Sequence, residues 1–148
     1  MAFLVRGIHV GSVTFVLGGA LLLILVFYFM RSEQLSSTAV LLKLMQAYEF
    51  GFWAAIGLLA ATGIGNIAHF GDALPAPDSA WGGRFLLKMY LVLMLMLLSA
   101  IRVIALHLVT VAPPQIQSRR IGTLEGLYGA TAALAAAIGG TAVALAHF

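Results

Sequence analysis

Apolar residues run along this chain in four long blocks, roughly 7–30, 43–68, 84–110 and 121–146, with short polar stretches between them. Each block exceeds the ~20 residues with which an α-helix crosses about 30 Å of hydrocarbon, so each predicts a membrane span. The first connection, Arg31 to Thr38, is short and polar. The second, Phe70 to Gly83, carries Asp72, Pro75, Pro77, Asp78 and a Trp81-Gly82-Gly83 sequence that reads as a turn. The third, Ala112 to Arg120, contains Pro113-Pro114. Connections this short make successive helices antiparallel neighbours. The expected fold is therefore all-α: one integral membrane domain over residues 1–148, a four-helix antiparallel up-down bundle.

Composition agrees with the pattern. The chain is 62% hydrophobic and 9% charged, against about 25% charged residues in a typical soluble domain, so the lipid bilayer is its first partner. It has no cysteine, which excludes disulfides, thiolate metal sites and covalent haem attachment, and leaves His, Met, carboxylate or backbone as metal ligands. The net charge is +3, but no basic run is longer than Arg119-Arg120, so nucleic acid is not an expected partner. The apolar stretch to Met30 is too long for a signal-peptide core and reads as the first span.

Charge also suggests an orientation. With the N-terminal side named A and the other B, side B holds Arg31, Lys43, Arg119 and Arg120, and side A holds Arg6 and Arg84 with Asp72 and Asp78. The positive-inside rule makes B cytoplasmic and both termini extracytoplasmic. Small residues recur at helical spacing: Gly57, Ala61 and Gly65 in helix two, and Gly122, Gly126 and Ala130, then Ala133, Ala136 and Gly140, in helix four. Small residues let helices approach closely in lipid, and these stripes are expected to mark the bundle interior.

Antiparallel topology brings His9, His69 and His147 to side A. His69 continues the helix-two stripe, His147 lies seven residues beyond Gly140, and His9 shares a face with Ser12 and Gly19. Inward imidazoles at one depth suit copper or the axial positions of haem b. An interfacial histidine bonded to water or to last-turn carbonyls is the plain alternative for each. His107 reads as a headgroup residue of side B.

Ionisable groups within spans cost at least ~2.5 kcal/mol at the bilayer centre and are by default functional or paired. Lys88, Ser99 and Arg102 share one face of helix three, while Glu49 of helix two and Glu125 of helix four lie toward side B. Antiparallel packing stacks Glu49, Arg102 and Glu125 at one depth, which predicts a buried ionic cluster with a structural role, a proton path being the alternative. Lys88, near the histidine level, would repel a bare copper ion and suit a haem propionate, or else snorkels to the interface. No phosphate loop, nucleophile elbow or His-Glu-x-x-His motif is present, so the sequence gives little reason to expect an enzyme.

Three motifs carry a resemblance. Val5-Arg6-Gly7-Ile8-His9 followed by Gly18-Gly19, Arg84-Phe85-Leu86-Leu87-Lys88 with Ala100 and Arg102, and Arg119-Arg120 with Leu124-Glu125-Gly126-Leu127 together resemble the CopD membrane domain. That resemblance implies bacterial copper uptake or resistance at the cytoplasmic membrane, with His9 as first ligand. Larger CopD-type proteins embed the domain among further helices, so a single bundle is expected to form a homo-oligomer or to join a larger membrane complex. His9 and Lys88 also make the chain similar to the HemJ-type protoporphyrinogen oxidases, which bind haem b, although the aromatic and basic loop of that group is absent after helix one. Copper handling is the favoured reading, with haem b binding for electron transfer or porphyrin oxidation and a cofactor-free accessory subunit as the alternatives.

Overall fold

A computed structural model describes residues 2–32, 38–67 and 76–146, and within these the chain forms four helices: α1 (Ala2–Ser32), α2 (Thr38–Ile67), α3 (Ala80–Thr110) and α4 (Pro114–Ala146). All four are long and apolar enough to cross a membrane, and the chain is a multi-pass membrane protein. At 1.5 Å per residue helices of 30 to 33 residues span about 45–50 Å, enough to cross the hydrocarbon and both headgroup layers.

Every helix begins before its apolar block, by four to seven residues. Ser79 caps α3, its hydroxyl accepting from the Gly82 N–H at 3.0 Å and donating to the Ala76 carbonyl at 2.6 Å. The Trp81-Gly82-Gly83 sequence is consequently the first turn of α3 and not a loop. Gly82 is required there, because a Cβ would stand 2.1 Å from the Ala76 carbonyl oxygen. Pro114 opens α4, a first-turn position where its missing N–H costs nothing. Residues 114–120, expected in the third connection, are therefore helical. Gln117 folds back to donate to the carbonyls of Ala112 at 3.0 Å and Thr110 at 3.4 Å, tying the tight α3–α4 turn.

The buried positions follow a three-and-four spacing in every helix: Ser12, Val16, Ala20, Leu23 and Phe27 in α1; Leu41, Met45, Tyr48, Phe52 and Ala55 in α2; Leu95, Ser99, Arg102, Leu106 and Val109 in α3; Leu124, Tyr128, Thr131 and Ala135 in α4. This is the seam of an antiparallel helix bundle. α1 packs on α2 and α4, α3 packs on α4, and α2 meets α3 much less closely.

The small-residue stripes are not on that seam. Gly57 and Ala61 are exposed, as are Gly122, Gly126, Ala130, Ala133, Ala136 and Gly140, and nothing lies within 4 Å of a Cβ built on Gly57, Gly126 or Gly140. The expectation that they line the interior is overturned for a volumetric reason. An interior packed to native density needs side chains with bulk, and Leu124 and Tyr128 supply it while the glycines do not. Close helix approach is instead made by Gly19, against the Tyr48 ring, and Gly51, against the Phe15 ring.

Burial is uneven along the bundle axis. The side-B half holds nearly the whole core. Toward side A, no described residue of α3 from Gly83 to Met94, or of α4 from Ala136 to Leu145, is buried, and between Gly57 and Ile64 α2 buries Thr62 alone. The bundle is a tight knot at one end that loosens toward the other.

Candidate functional site

Two polar centres occupy the two ends of this arrangement. The first lies in the knot. Arg102 is fully buried at 0% exposure and Glu49 at 6%. Counted at 1.5 Å per residue, Glu49 is about 17 Å from the start of α2 and Arg102 about 12 Å from the end of α3, so both stand well inside the membrane-spanning helices. The Arg102 guanidinium grips the Glu49 carboxylate with two bonds, Nε to Oε1 and Nη2 to Oε2, the latter 3.0 Å. Tyr128 donates to Oε1 at 2.8 Å and Ser99 to Oε2 at 3.3 Å. Arg102 also donates to Ser99 at 3.1 Å and to the Thr131 hydroxyl. The Glu49 carboxylate thus accepts four hydrogen bonds, about as many as its lone pairs permit.

Aromatic rings close around this pair. The guanidinium carbon lies 4.8 Å from the ring centres of Phe52 and Tyr128 and 5.2 Å from that of Tyr48, close enough for cation–π attraction. Tyr48 and Tyr128 meet edge to face at 5.6 Å. Tyr48 sends its hydroxyl to the Val16 carbonyl at 2.8 Å, which brings α1 into the set. The charge pair, its hydroxyl partners and its rings together join all four helices at one level.

Of the expected cluster of Glu49, Arg102 and Glu125, Glu49 and Arg102 are paired directly. The contribution of α4 is Tyr128 and Thr131, with Glu125 half-buried three residues before Tyr128. The sequence reading passed over Tyr48, Phe52, Tyr128 and Thr131. The available signal was that Tyr128 and Thr131 carry the polar side-chain atoms in the middle of an otherwise Ala- and Leu-rich α4, three residues apart and hence on one face.

The second centre is at the loosened end. His9 of α1 is half-buried, and its Nδ1 lies 2.8 Å from the hydroxyl of Thr62 on α2. The His9 ring carbon Cε1 is 4.0 Å from the place a Cβ on Gly63 would take, so α1 and α2 are close at this level. Lys88 of α3, also half-buried, lies toward the same end of the bundle. His9 and Lys88 continue the interior seams of their helices, His9 three residues before Ser12 and Lys88 seven before Leu95. His69 and His147 lie outside the described residues, as does Asp72. Among the described residues no three His, Asp or Glu side chains are gathered as a metal site. His107 is exposed near the side-B end of α3, where the sequence reading put it. A shallow apolar groove of about 370 Å³ runs along the outside of α1 and α2, bordered by Gly11, Ser12, Phe15, Gly51 and Ala54.

Comparison with protein-family models, with curated proteins and with solved structures returns no match. The chemistry of the two centres therefore has to be argued from their own geometry. The inner centre is electrically balanced and fully bonded, and nothing about it invites a ligand. The outer centre is an imidazole held by a hydroxyl, with a half-buried lysine toward the same end, in the half of the bundle where the helix faces are incompletely covered.

Proposed function

We propose that this protein binds haem b near the side-A face of the membrane, with His9 as an axial ligand and Lys88 beside a propionate, and that it serves electron transfer or porphyrin oxidation. The observation that carries the reading is the His9 arrangement. A half-buried imidazole has one nitrogen engaged by Thr62 and the other without a bonding partner among the described residues, toward the end of the bundle that also holds the half-buried Lys88. Metal-ligating histidines characteristically have their second nitrogen held in this way. A cationic neighbour suits a cofactor that brings its own carboxylates, and it opposes a bare copper ion. Bound there, haem would supply one-electron chemistry, tuned by its axial ligands and by how far the site excludes water.

Copper handling is the second reading, and what favours it is the CopD resemblance of the Val5–His9, Arg84–Lys88 and Leu124–Leu127 motifs. In either case exposed Lys43, Arg119 and Arg120 at side B support a cytoplasmic side B and an extracytoplasmic cofactor. A bacterial cytoplasmic membrane as the setting draws its support from the same resemblance.

The deciding experiment is a visible spectrum of the detergent-purified protein, oxidised and then dithionite-reduced, with metal analysis of the same sample. A Soret band with sharp reduced α and β bands, lost in His9→Ala, is the expected result. Stoichiometric copper with a flat visible spectrum would replace haem by the copper reading. A sample with neither would sink both and leave an accessory subunit of a larger complex.

A further inference from the structure

We infer that Thr62 is a positioning residue that holds His9 in the Nδ1–H tautomer, so that Nε2 is the nitrogen offered to a metal. The metal half of this statement rests on the proposed function; the tautomer does not. A threonine hydroxyl has one proton to give and can accept in return. The Thr62 oxygen lies 2.6 Å from the carbonyl of Leu58, one turn back in its own helix, and 3.3 Å from that of Leu59. Carbonyl oxygens only accept, so the short contact with Leu58 uses the hydroxyl proton. This is the back-bond that a helical threonine commonly makes.

What the hydroxyl turns toward His9, 2.8 Å away, is then a lone pair. The ring nitrogen facing it has to bring the proton itself. In a neutral imidazole with Nδ1 protonated, Nε2 is bare, and bare nitrogen is what a metal takes. The opposite tautomer would set two lone pairs against each other, or force the hydroxyl to give up Leu58 at a site where Thr62 is only 8% exposed and water is a poor substitute. Because α1 and α2 are packed together at this level, the proton's place on His9 is decided by a residue of another helix, 53 positions along the chain.

The test is ¹⁵N spectroscopy of histidine-labelled protein in detergent without cofactor, at about pH 9, well above the ordinary imidazole value of ~6.5, with His9→Gln used to assign the signals. The expected wild-type spectrum shows His9 mainly as Nδ1–H, with a preference on the order of fivefold, as one hydrogen bond supplies. Thr62→Ser should keep the preference and Thr62→Val should erase it. A wild-type His9 protonated at Nε2 overturns the inference, and that spectrum decides even if Thr62→Val does not fold. So does a preference that persists in a folded Thr62→Val. Haemin titrated into the same samples separates the two claims. Weaker or altered ligation in Thr62→Val, restored in Thr62→Ser, extends the positioning role to the metal. The expected tautomers with no haemin binding in any sample would leave the positioning intact and remove the haem reading.

Discussion

Gly19 and Gly51, like Gly82, leave no room for a Cβ as the helices stand, whereas several other glycines do, and the difference is geometric. A Cβ at Gly51 would lie 2.4 Å from the Phe15 ring and one at Gly19 would lie 2.6 Å from the Tyr48 ring, whereas a Cβ at Gly126 meets nothing within 4 Å. Tyr48 is pinned by its bond to Val16 and by its neighbours Phe52 and Tyr128, so the ring opposite Gly19 has little room to retreat. Gly19→Ala and Gly51→Ala should each destabilise the bundle by about 1–3 kcal/mol, the range for overpacking. Gly126→Ala should be neutral, or stabilising by roughly 0.5–1 kcal/mol through helix propensity. Unfolding by SDS titration would rank the three, and an equal loss at Gly126 would mean that its face is covered in the folded protein. None of this could be read from spacing. All three positions are glycines in apolar helices, and only the side chain opposite separates them.

At the scale of the element, the sequence located the helices but not their ends. Hydropathy reports where a helix is in lipid, while helix ends are set by capping groups that lie in the headgroup layer, outside the apolar block. Ser79 and Pro114 are ordinary terminus signals, and Gly82-Gly83 hid the first turn of α3 by resembling a loop. Replacing Ser79 by alanine removes the acceptor for the Gly82 N–H and should cost about 1 kcal/mol. Amide exchange at Gly82 and Gly83 should quicken while the centre of α3 is unchanged. Protection lost along the whole helix would instead mean that the cap sets its docking. The three-and-four seams were equally present in the sequence, in Leu95, Ser99, Arg102 and Leu106 for example. The small-residue stripes competed with them for the interior and were preferred for their close-packing chemistry, although the polar residues of α3 and α4 need an interior position far more than glycine does.

For the whole molecule, the packed end and the loosened end follow from where the sequence puts its bulk and its charge. The pairing of Glu49 with Arg102 was legible because charges inside spans are rare and antiparallel counting fixes their depth. The hydroxyls and rings that complete it were not, because tyrosine and threonine are tolerated at many depths. That completed set suggests a structural joint over a proton path: the carboxylate is saturated by four donors and joined to a guanidinium, which leaves it little means of passing a proton on. The balance of forces gives the joint a distinctive energetic signature. Removing one member of a buried pair strands the other charge in hydrocarbon, at about 3–5 kcal/mol, whereas removing both exchanges a desolvated pair for apolar packing and can be nearly neutral. Arg102→Met and Glu49→Met should each lower stability by that amount, and the double substitution by less than either alone. Tyr128→Phe, which deletes one bond to a charged group, should cost about 1.5–3 kcal/mol in the wild type and little in the double variant, since its acceptor is then gone. A cycle measured by SDS unfolding that came out additive would mean that the two charges do not depend on each other in the membrane. A proton path would show itself differently, as a loss of proton flux through proteoliposomes in Glu49→Gln with stability largely kept. The two roles make opposite demands on Glu49, one that it never release its partners and the other that it do so at every turnover, so a single substitution measured both ways separates them.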